Sequence, residues 1–228
     1  MSPPDRAERA DPWQPAVASA AHPWLVLPMK ALREGKSRLA CVLDPRQRHQ
    51  LLEHLMLRVL ERAAEFPGLG QTLLVSGCAQ TLARAAGLGA RTLEETPGAG
   101  LNGALRQAQM QLRRIHAARM LVIPCDLPLL ESDDLRCLAN AAAPRRVVIA
   151  PDENGEGTNG LSFDPALDFD FSFGPQSYAR HVEHIRRCGL QHFEINTPGL
   201  AFDLDLPQQL HRVDWGRKAG CGPVSLFD

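Results

Sequence analysis

"MLVIPCDLPLL", residues 120–130, begins as a continuous apolar run and then reaches a carboxylate, Asp126, between Pro124 and Pro128. A continuous apolar run, rather than an alternating one, is typical of a strand whose two faces are both covered. Each proline restricts its own backbone angles and those of the residue before it. The stretch therefore predicts a buried strand followed by a rigid turn that carries a charge.

Apolar runs of the same kind alternate with helical patterns along the first two thirds of the chain. Strands are predicted at residues 24–30, 71–76, 90–95, 119–124 and 145–151. Helices are predicted from Asp44-Pro45 to Phe66-Pro67-Gly68, at residues 79–87 and 100–115, and at 133–142 behind Ser132 as a cap. This alternation predicts an α/β fold with a mainly parallel sheet. Beyond residue 150 the pattern loosens: residues 155–163 are glycine-rich, and a helix (177–189) and two strands (192–195 and 200–207) are predicted after them.

The 228 residues include 25 Lys and Arg and 26 Asp and Glu, so the net charge is near zero. This balance gives no electrostatic case for a nucleic acid or an anionic membrane as partner. No apolar run is long enough to cross a bilayer, and the six cysteines contain no CxxC pair, which predicts reduced thiols in a cytoplasmic protein. The length predicts one domain over residues 23–215, between a disordered tail (1–22) and a C-terminal tail (216–228).

Acidic side chains follow two of the predicted strands. Asp126 follows one, and Asp203 and Asp205 lie two residues apart near the end of another, so that they share a face. Ligands of open α/β sheets bind outside the carboxyl ends of the strands. If these strand ends are neighbours, three carboxylates converge, and a cation must offset their repulsion. A hard, oxygen-loving ion such as Mg²⁺ fits this set and usually carries substrate phosphates.

Four basic residues lie in nine positions after the first strand: Lys30, Arg33, Lys36 and Arg38. Lysine offers a point charge to a phosphate and arginine a bidentate fork. An ordinary solvated loop has a similar composition. The position of this loop, after a strand end on the same side as Asp126, favours a loop that binds a triphosphate.

Residues 150–163, "APDENGEGTNGLSF", combine glycines that allow close backbone approach with the polar side chains of Thr158 and Asn159. "FGPQS", residues 173–177, then opens a helix, and Ser177 with free backbone N–H groups at that helix start predicts an anion site. His181 and His184 are three apart on the same helix, a spacing that more often marks a polar face than a metal site. The chain has neither a GxGxxG fingerprint after its first strand nor a Walker loop.

Six stretches together resemble the CofC/FbiD guanylyltransferases, which build the deazaflavin coenzyme F-420. They are "KALREGKSRL" (30–39), "GLNGAL" (100–105), "PCDLPLL" (124–130), "APDENGEGTNGL" (150–161), "FGPQSYARH" (173–181) and "AFDLDLPQQL" (201–210). The resemblance covers residues 24–212, and its GTN and FG-x-x-S motifs are the most specific. It implies a Rossmann-like nucleotidyltransferase fold of the GT-A-like kind, and a homodimer.

The implied reaction joins GTP to a small phosphorylated three-carbon acid and releases pyrophosphate. Family members differ in this acceptor, which is 2-phospho-L-lactate, phosphoenolpyruvate or 3-phospho-D-glycerate. The sequence resembles the proteobacterial members, in which 3-phospho-D-glycerate is used, and this favours 3-phospho-D-glycerate here.

The resemblance also implies roles for particular residues. Catalysis falls to Asp126, Asp203 and Lys36, with Mg²⁺ bound by Asp126 and Asp203 and with Asp205 as a neighbouring ligand. The GTP contacts fall on Lys30, Lys36, Arg38, Gly100 and Asn102, and the acceptor-phosphate contacts on Thr158, Gly174 and Ser177. One departure is Leu206, which stands where the family often has threonine; it removes a hydroxyl but leaves both carboxylates.

Three other readings remain open from the sequence. A molybdopterin guanylyltransferase or a sugar-phosphate nucleotidyltransferase would generally carry a more glycine-rich loop after the first strand. A glycosyltransferase would use a D-x-D site, which Asp203-Leu204-Asp205 matches, but would leave the GTN and FGPQS segments without a role. A non-catalytic nucleotide-binding regulatory module would not need both acidic motifs.

Overall fold

The computed structural model describes residues 22–29 and 36–213, apart from the Ser37 side chain. The strands are β1 (Trp24–Pro28), β2 (Thr72–Ser76), β3 (Arg91–Glu94), β4 (Met120–Val122), β5 (Arg146–Pro151), β6 (Thr158–Phe163) and β7 (Gln191–Glu194). The α-helices are α1 (Pro45–Glu65), α2 (Ala79–Gly87), α3 (Gly100–Arg114), α4 (Ser132–Asn140), α5 (Ser177–Arg187) and α6 (Pro198–Ala201). Short 3-10 helices cover Ser37–Cys41, Leu69–Gln71 and Pro207–Arg212.

The strands form one sheet in the order β3-β2-β1-β4-β6-β5-β7. Neighbouring strands are parallel except at β6, which runs antiparallel to both β4 and β5. The predicted α/β fold with a mainly parallel sheet is confirmed. Because β6 is reversed, its first residue, Thr158, lies at the edge where the parallel strands end.

Strand β1 explains why the apolar runs are continuous. Leu25 and Leu27 pack into the core on one face of the sheet, and Trp24 and Val26 pack into the core on the other. All four side chains are buried. Successive residues of a strand point to opposite faces, so a strand covered on both sides must be apolar at every position.

Helix α1 begins where the sequence predicts. The Asp44 carboxylate accepts the backbone N–H of Gln47, and the Gln47 side chain accepts the N–H of Asp44 in return, which forms a capping box before Pro45. Helix α4 differs from the prediction by one residue. Its cap is Glu131, whose N–H binds the Asp134 carboxylate, and Ser132 is the first helical residue rather than the cap.

In the last third of the chain one predicted strand is wrong, and one strand is present that the sequence pattern does not predict. Residues 200–207, predicted as a strand, form the end of α6, an extended segment (202–206) that joins no strand of the sheet, and the first residue of the 3-10 helix Pro207–Arg212. Side-chain burial still alternates along this segment, as in a strand: Phe202 and Leu204 are buried, while Asp203 and Asp205 are partly exposed. The glycine-rich segment contains the fully buried strand β6, where Gly160 packs against Ala150 because no Cβ separates the backbones.

Several predictions lie outside the described residues. They are the tails at residues 1–22 and 216–228, except for His22, and the basic residues Lys30 and Arg33. The division into tails and one domain therefore stays a prediction. No helix in the described part of the chain is long and apolar enough to cross a bilayer. No disulfide joins the cysteines of these same residues.

Candidate functional site

The site lies at the edge of the sheet where β1, β4 and β5 end and β6 begins. The turn after β4 carries Asp126, and Thr158 pairs with Pro151, the last residue of β5. Because β6 is antiparallel to its neighbours, the start of this strand meets the ends of the parallel ones. Motifs far apart in the sequence therefore share one edge, as the rule for open α/β sheets requires.

A lysine joins two of the predicted acids. The Nζ of Lys36 lies 2.7 Å from Oδ2 of Asp126 and 2.7 Å from Oδ1 of Asp205. The Lys36 side chain is 6% exposed, and its backbone has the left-handed φ of 58° that non-glycine residues rarely adopt. Burial alone would lower the pKa of this ammonium, but the charges and hydrogen bonds of Asp126 and Asp205 outweigh it and raise that pKa. Lys36 is therefore charged at every physiological pH.

Backbone contacts bring the second acidic motif to Asp126. The N–H of Leu204 donates to the backbone carbonyl of Asp126 at 3.0 Å, which sets the extended segment beside the turn after β4. The side-chain amide oxygen of Gln209, in the 3-10 helix Pro207–Arg212, accepts the N–H groups of Asp205 and Leu206. The position of Asp205 thus depends on both the turn after β4 and the 3-10 helix Pro207–Arg212.

Asp203 is the acid that the lysine does not neutralise directly. Burial, followed by the neighbouring charges of Asp126 and Asp205, raises the pKa of Asp203 to about 6. A hydrogen bond from Asn159 partly opposes this increase, and Asn159 also donates to the carbonyl of Ala201. Three carboxylates around one ammonium leave an excess of negative charge at this edge.

We expect Asp203→Asn to stabilise the nucleotide-free protein. The folded-state pKa of about 6 lies above the ordinary value of 3.8, so keeping Asp203 ionised costs stability above about pH 6. The raised pKa of Asp203 corresponds to a loss of about 3 kcal/mol at most in the free energy of unfolding. Partial solvent exposure of the carboxylate reduces this loss to about 1–2 kcal/mol. Urea unfolding in EDTA at pH 7.5 should show a higher free energy of unfolding for Asp203→Asn than for the wild type. This difference should shrink as the pH falls through 6 and vanish below about pH 4.

The matched control for this prediction is Asp205→Asn. Asp205 is paired with Lys36, so its replacement should give no stabilisation at pH 7.5. If both variants raised the free energy of unfolding equally, the stabilisation could not be attributed to an uncompensated charge on Asp203.

The acids fit a magnesium ion by their chemistry, since carboxylate oxygens are the donors that this ion prefers. Among the residues that the structure describes, no three acidic, His or Cys side chains already form a ligand set. Lys36 separates Asp126 from Asp205, a role that the sequence pattern predicts for a metal ion. One or two carboxylates completed by substrate phosphates is the usual way in which proteins bind Mg²⁺. The assignment of metal ligands to Asp126, Asp203 and Asp205 stays a prediction.

Arg38, also predicted to bind the triphosphate, lies at the outer side of this centre. One of its guanidinium nitrogens is 3.6 Å from Oδ2 of Asp205, and its side chain is 71% exposed. An exposed arginine loosely paired with a carboxylate can turn towards a phosphate at little cost. Lys36 already uses two of its three N–H groups on acids, which leaves one for a ligand.

A second cluster contains the predicted acceptor contacts. Thr158 and Ser177 are buried, and their hydroxyl oxygens lie 3.3 Å apart. Nδ1 of His181 lies 3.0 Å from Oγ1 of Thr158, and the backbone N–H of Ser172 donates to Nε2 of the same ring. His181 is fully buried between Phe169 and Phe173. Asn159, next to Thr158 in β6, links this cluster to Asp203.

The start of α5 differs from the predicted anion site. The N–H of Ser177 donates to the carbonyl of Gly174, and the N–H of Tyr178 donates to the carbonyl of Glu156, so neither is free for a ligand. These two N–H groups therefore do not contribute to the predicted anion site, and the role of the Ser177 side chain stays a prediction. Gly174 has a φ of 121°, a conformation that side chains rarely adopt, and the turn that it makes directs Ser177 into the cluster.

The predicted guanosine contacts begin helix α3. Gly100 is exposed with a φ of 64° at the helix start. Both ends of the Asn102 carboxamide bind the backbone of Phe173: its oxygen accepts the N–H and its nitrogen donates to the carbonyl. In this structure Asn102 therefore connects α3 to the segment before α5. Its contact with guanosine, like that of Gly100, stays a prediction.

The family model and the named relatives, rather than the fold alone, show an enzyme of the nucleotidyltransferase class. Residues 24–213 match the model of the family described as "Guanylyl transferase CofC like". The chain belongs to this family, as the six sequence motifs predict.

Curated relatives that match most of the chain are also named guanylyltransferases. The chain is 39% identical over 190 residues to the phosphoenolpyruvate guanylyltransferase of Rubrobacter xylanophilus, covering 83% of this chain and 92% of that one. It is 31% identical over 188 residues to the 2-phospho-L-lactate guanylyltransferase of Methanothermobacter thermautotrophicus, covering 82% of each.

Solved structures with the same fold are more distant in sequence. A nucleotidyl transferase from Methanothermobacter superposes with a TM-score of 0.59 at 15% identity, covering 84% of this chain and 95% of that one. CMP:2-keto-3-deoxy-manno-octonic acid synthetase superposes with a TM-score of 0.55 at 13% identity, covering 84% and 96%. At these identities the likeness shows the fold, and the predicted nucleotidyltransferase fold is confirmed.

Proposed function

We propose that this protein transfers a guanylyl group from GTP to the phosphate of a small phosphorylated three-carbon acid and releases pyrophosphate, as a step in coenzyme F-420 biosynthesis. The observation that carries the proposal is the placement of two groups at one sheet edge. Lys36 and its acids form a charged centre, and Thr158 and Ser177 form a hydroxyl pair beside it. The first suits a triphosphate, and the second suits a smaller anion.

The reaction needs no protein nucleophile. A phosphate oxygen of the acceptor forms a bond to the α-phosphorus of GTP, and the bond from this phosphorus to the bridging β-phosphate oxygen breaks. A phosphate that is ionised at neutral pH requires no strong general base. The protein's contribution is alignment and charge neutralisation, as in other phosphoryl-type transfers.

Each cluster has a part in this alignment. The ammonium of Lys36 and the guanidinium of Arg38 neutralise the charge that develops on the departing pyrophosphate. The hydroxyl groups of Thr158 and Ser177, with the turn at Gly174, hold the acceptor phosphate in line. Asp126 and Asp203 would hold Mg²⁺, which supplies Lewis-acid polarisation of the phosphates. The predicted GTP contacts of Lys30, Gly100 and Asn102 belong to the same proposal, as does the homodimer; the cytoplasmic location stays a prediction.

The relatives support phosphoenolpyruvate as the first acceptor to test. The Rubrobacter relative is named for it, and others at 35% and 34% identity bear the same name. The Methanothermobacter relative is named for 2-phospho-L-lactate. None of these relatives is named for 3-phospho-D-glycerate, the acceptor that the resemblance to proteobacterial members favours.

One assay tests the function and the acceptor together. Pyrophosphate release is measured with GTP and each of the three acids in turn, and the product is identified by mass. We expect release that depends on both GTP and one of the acids, with ATP and CTP as nucleotide controls. Absence of release with all three acids, or a product without a guanylyl group, would overturn the proposal.

Ser177→Ala should weaken acceptor binding more than GTP binding. The Ser177 hydroxyl lies next to Thr158, and a hydrogen bond to a charged phosphate contributes about 1.5–3 kcal/mol. We expect the KM for the acceptor to rise by about tenfold to a hundredfold, and the KM for GTP to change by less than about threefold.

Ser162→Ala provides the matched control, because Ser162 is a buried hydroxyl in β6 whose contact is with Arg119 rather than with the cluster. Steady-state kinetics with each substrate varied in turn make the comparison. A change confined to the KM for GTP would contradict the assignment of Ser177.

A further inference from the structure

The buried ring of His181 has an arrangement that the proposed reaction leaves unexplained. It is fully buried, contacts no acid in the described hydrogen bonds, and places one nitrogen on a backbone N–H and the other on the Thr158 hydroxyl. Neither nitrogen is directed at the charged centre around Lys36. The question is what a buried imidazole does for the residue that it contacts.

The contact with Ser172 determines the position of the ring proton. A backbone N–H can only donate a hydrogen bond, so Nε2 of His181, which lies 2.9 Å from the nitrogen of Ser172, must accept and carry no proton. In a neutral imidazole the proton then resides on Nδ1. Nδ1 lies 3.0 Å from Oγ1 of Thr158, so this N–H donates to the hydroxyl oxygen.

The protonation state of the ring supports this tautomer. Burial, followed by the neighbouring charges of Arg180 and His184, lowers the pKa of His181 to about 4. The ring is therefore neutral at physiological pH. An imidazolium would place a second proton on Nε2, against the N–H of Ser172, which the packed geometry opposes.

The tautomer decides how Thr158 meets an anion. If Nδ1 were an acceptor, the Thr158 hydroxyl would donate to it and would turn its lone pairs towards any bound phosphate. With Nδ1–H as donor, one lone pair of Oγ1 is occupied by His181. In this structure another lone pair accepts from Ser177 over a long 3.3 Å, a bond that the Ser177 hydroxyl exchanges for a phosphate oxygen when the acceptor binds. The hydroxyl hydrogen of Thr158 then has no acceptor in the described hydrogen bonds and is available to a ligand that only accepts, as a phosphate oxygen does.

We propose that His181 is a positioning residue that fixes Thr158 as a hydrogen-bond donor to the acceptor phosphate. This inference rests on the proposed function, in which Thr158 and Ser177 bind that phosphate. His181 itself need not touch the substrate. It acts through the orientation of one hydroxyl group, which its own contact with Ser172 sets.

Two substitutions separate the two bonds of the ring. Asparagine places an amide N–H near the position of Nδ1, so His181→Asn can keep the bond to Thr158 and lose the bond to Ser172. Glutamine places its amide oxygen near the position of Nε2, so His181→Gln can keep the bond to Ser172 and lose the donor to Thr158. Purely structural support by the ring predicts similar kinetics for both variants, whereas the positioning role predicts different kinetics.

We expect His181→Gln to raise the KM for the acceptor by about tenfold or more, with less than about threefold change in the KM for GTP. His181→Asn should restore the acceptor KM to within about threefold of the wild-type value. The control is His184→Gln, on the same helix, where Nε2 accepts the N–H of Asp170 away from Thr158; its acceptor KM should equal the wild-type value. Equal acceptor KM values for His181→Gln and His181→Asn would overturn the inference.

Nitrogen-15 NMR of the full-length wild-type protein gives a second test, which needs neither a variant nor turnover. The His181 ring should show a protonated Nδ1 and an unprotonated Nε2 at pH 7. A protonated Nε2 overturns the inference, even if the variants fail to fold. Failure of the proposed function appears separately, as absence of pyrophosphate release by the wild-type protein with all three acids.

Discussion

Asp126→Asn is expected to reduce guanylyl transfer by at least about a thousandfold while the protein remains folded. The substitution removes the charge that binds Lys36 at 2.7 Å and, in the proposed site, a ligand of Mg²⁺. Loss of such a ligand removes several kcal/mol of transition-state stabilisation, and each 1.4 kcal/mol is a factor of ten in rate. The backbone carbonyl of Asp126, which accepts the N–H of Leu204, is unchanged, so the second acidic motif should stay in place.

The measurement is kcat/KM for pyrophosphate release, together with the thermal midpoint of each protein. Asp133→Asn is the matched control, because Asp133 is an acid with a 91% exposed side chain at the start of α4. It should leave transfer within about twofold of the wild-type rate, as surface changes normally do. A rate for Asp126→Asn within tenfold of the wild-type rate would show that Asp126 is not part of the catalytic centre.

Lys36→Met should have the second largest effect, a loss of about a hundredfold to a thousandfold in kcat. Methionine keeps much of the length of the lysine side chain and removes the charge between Asp126 and Asp205. Two consequences add: the acids repel each other without their ammonium, and the pyrophosphate loses a cation as it departs. Assays of kcat at saturating GTP and acceptor separate this loss from weaker binding.

Arg38→Met is the comparison that tests the central position of Lys36. Arg38 is exposed, and its guanidinium lies 3.6 Å from the Asp205 carboxylate, so Arg38→Met should lower kcat by about tenfold or less. Equal losses for the two variants would mean that net positive charge near the triphosphate matters and that the placement of Lys36 between the acids does not.

Much of the fold was predictable because each strand signal was local. The apolar runs gave five strands in their places, and Asp44-Pro45 gave the start of the longest helix, since both depend on a few adjacent residues. Strand β6 was not predicted. Its glycines weaken the strand pattern, and it becomes a strand only because β4 and β5 lie on either side of it.

The acids of the candidate site could be predicted from the sequence, but their ion pairs with Lys36 could not. Asp126 and Asp205 could be proposed because each follows an apolar run, and the structure places both beside Lys36. No local signal shows which basic residue of the loop lies between these acids. The loop has no periodic sequence pattern from which the direction of each side chain could be predicted. His181 was interpreted as part of a polar face, since its partner Thr158 is 23 residues away in another element.

The order in which the chain is synthesised gives the centre around Lys36 a further property. Lys36 bonds to acids 90 and 169 positions further along the sequence, and Asp205 depends on Gln209 in the 3-10 helix Pro207–Arg212. Contacts over such separations close late in folding, and those that need Asp205 and Gln209 close only after all seven described strands have been synthesised. Most of the sheet can therefore form in a nascent chain that still lacks the charged centre. Catalytic competence would then arise as the last event of folding, which makes turnover a stricter measure of complete refolding than secondary-structure content.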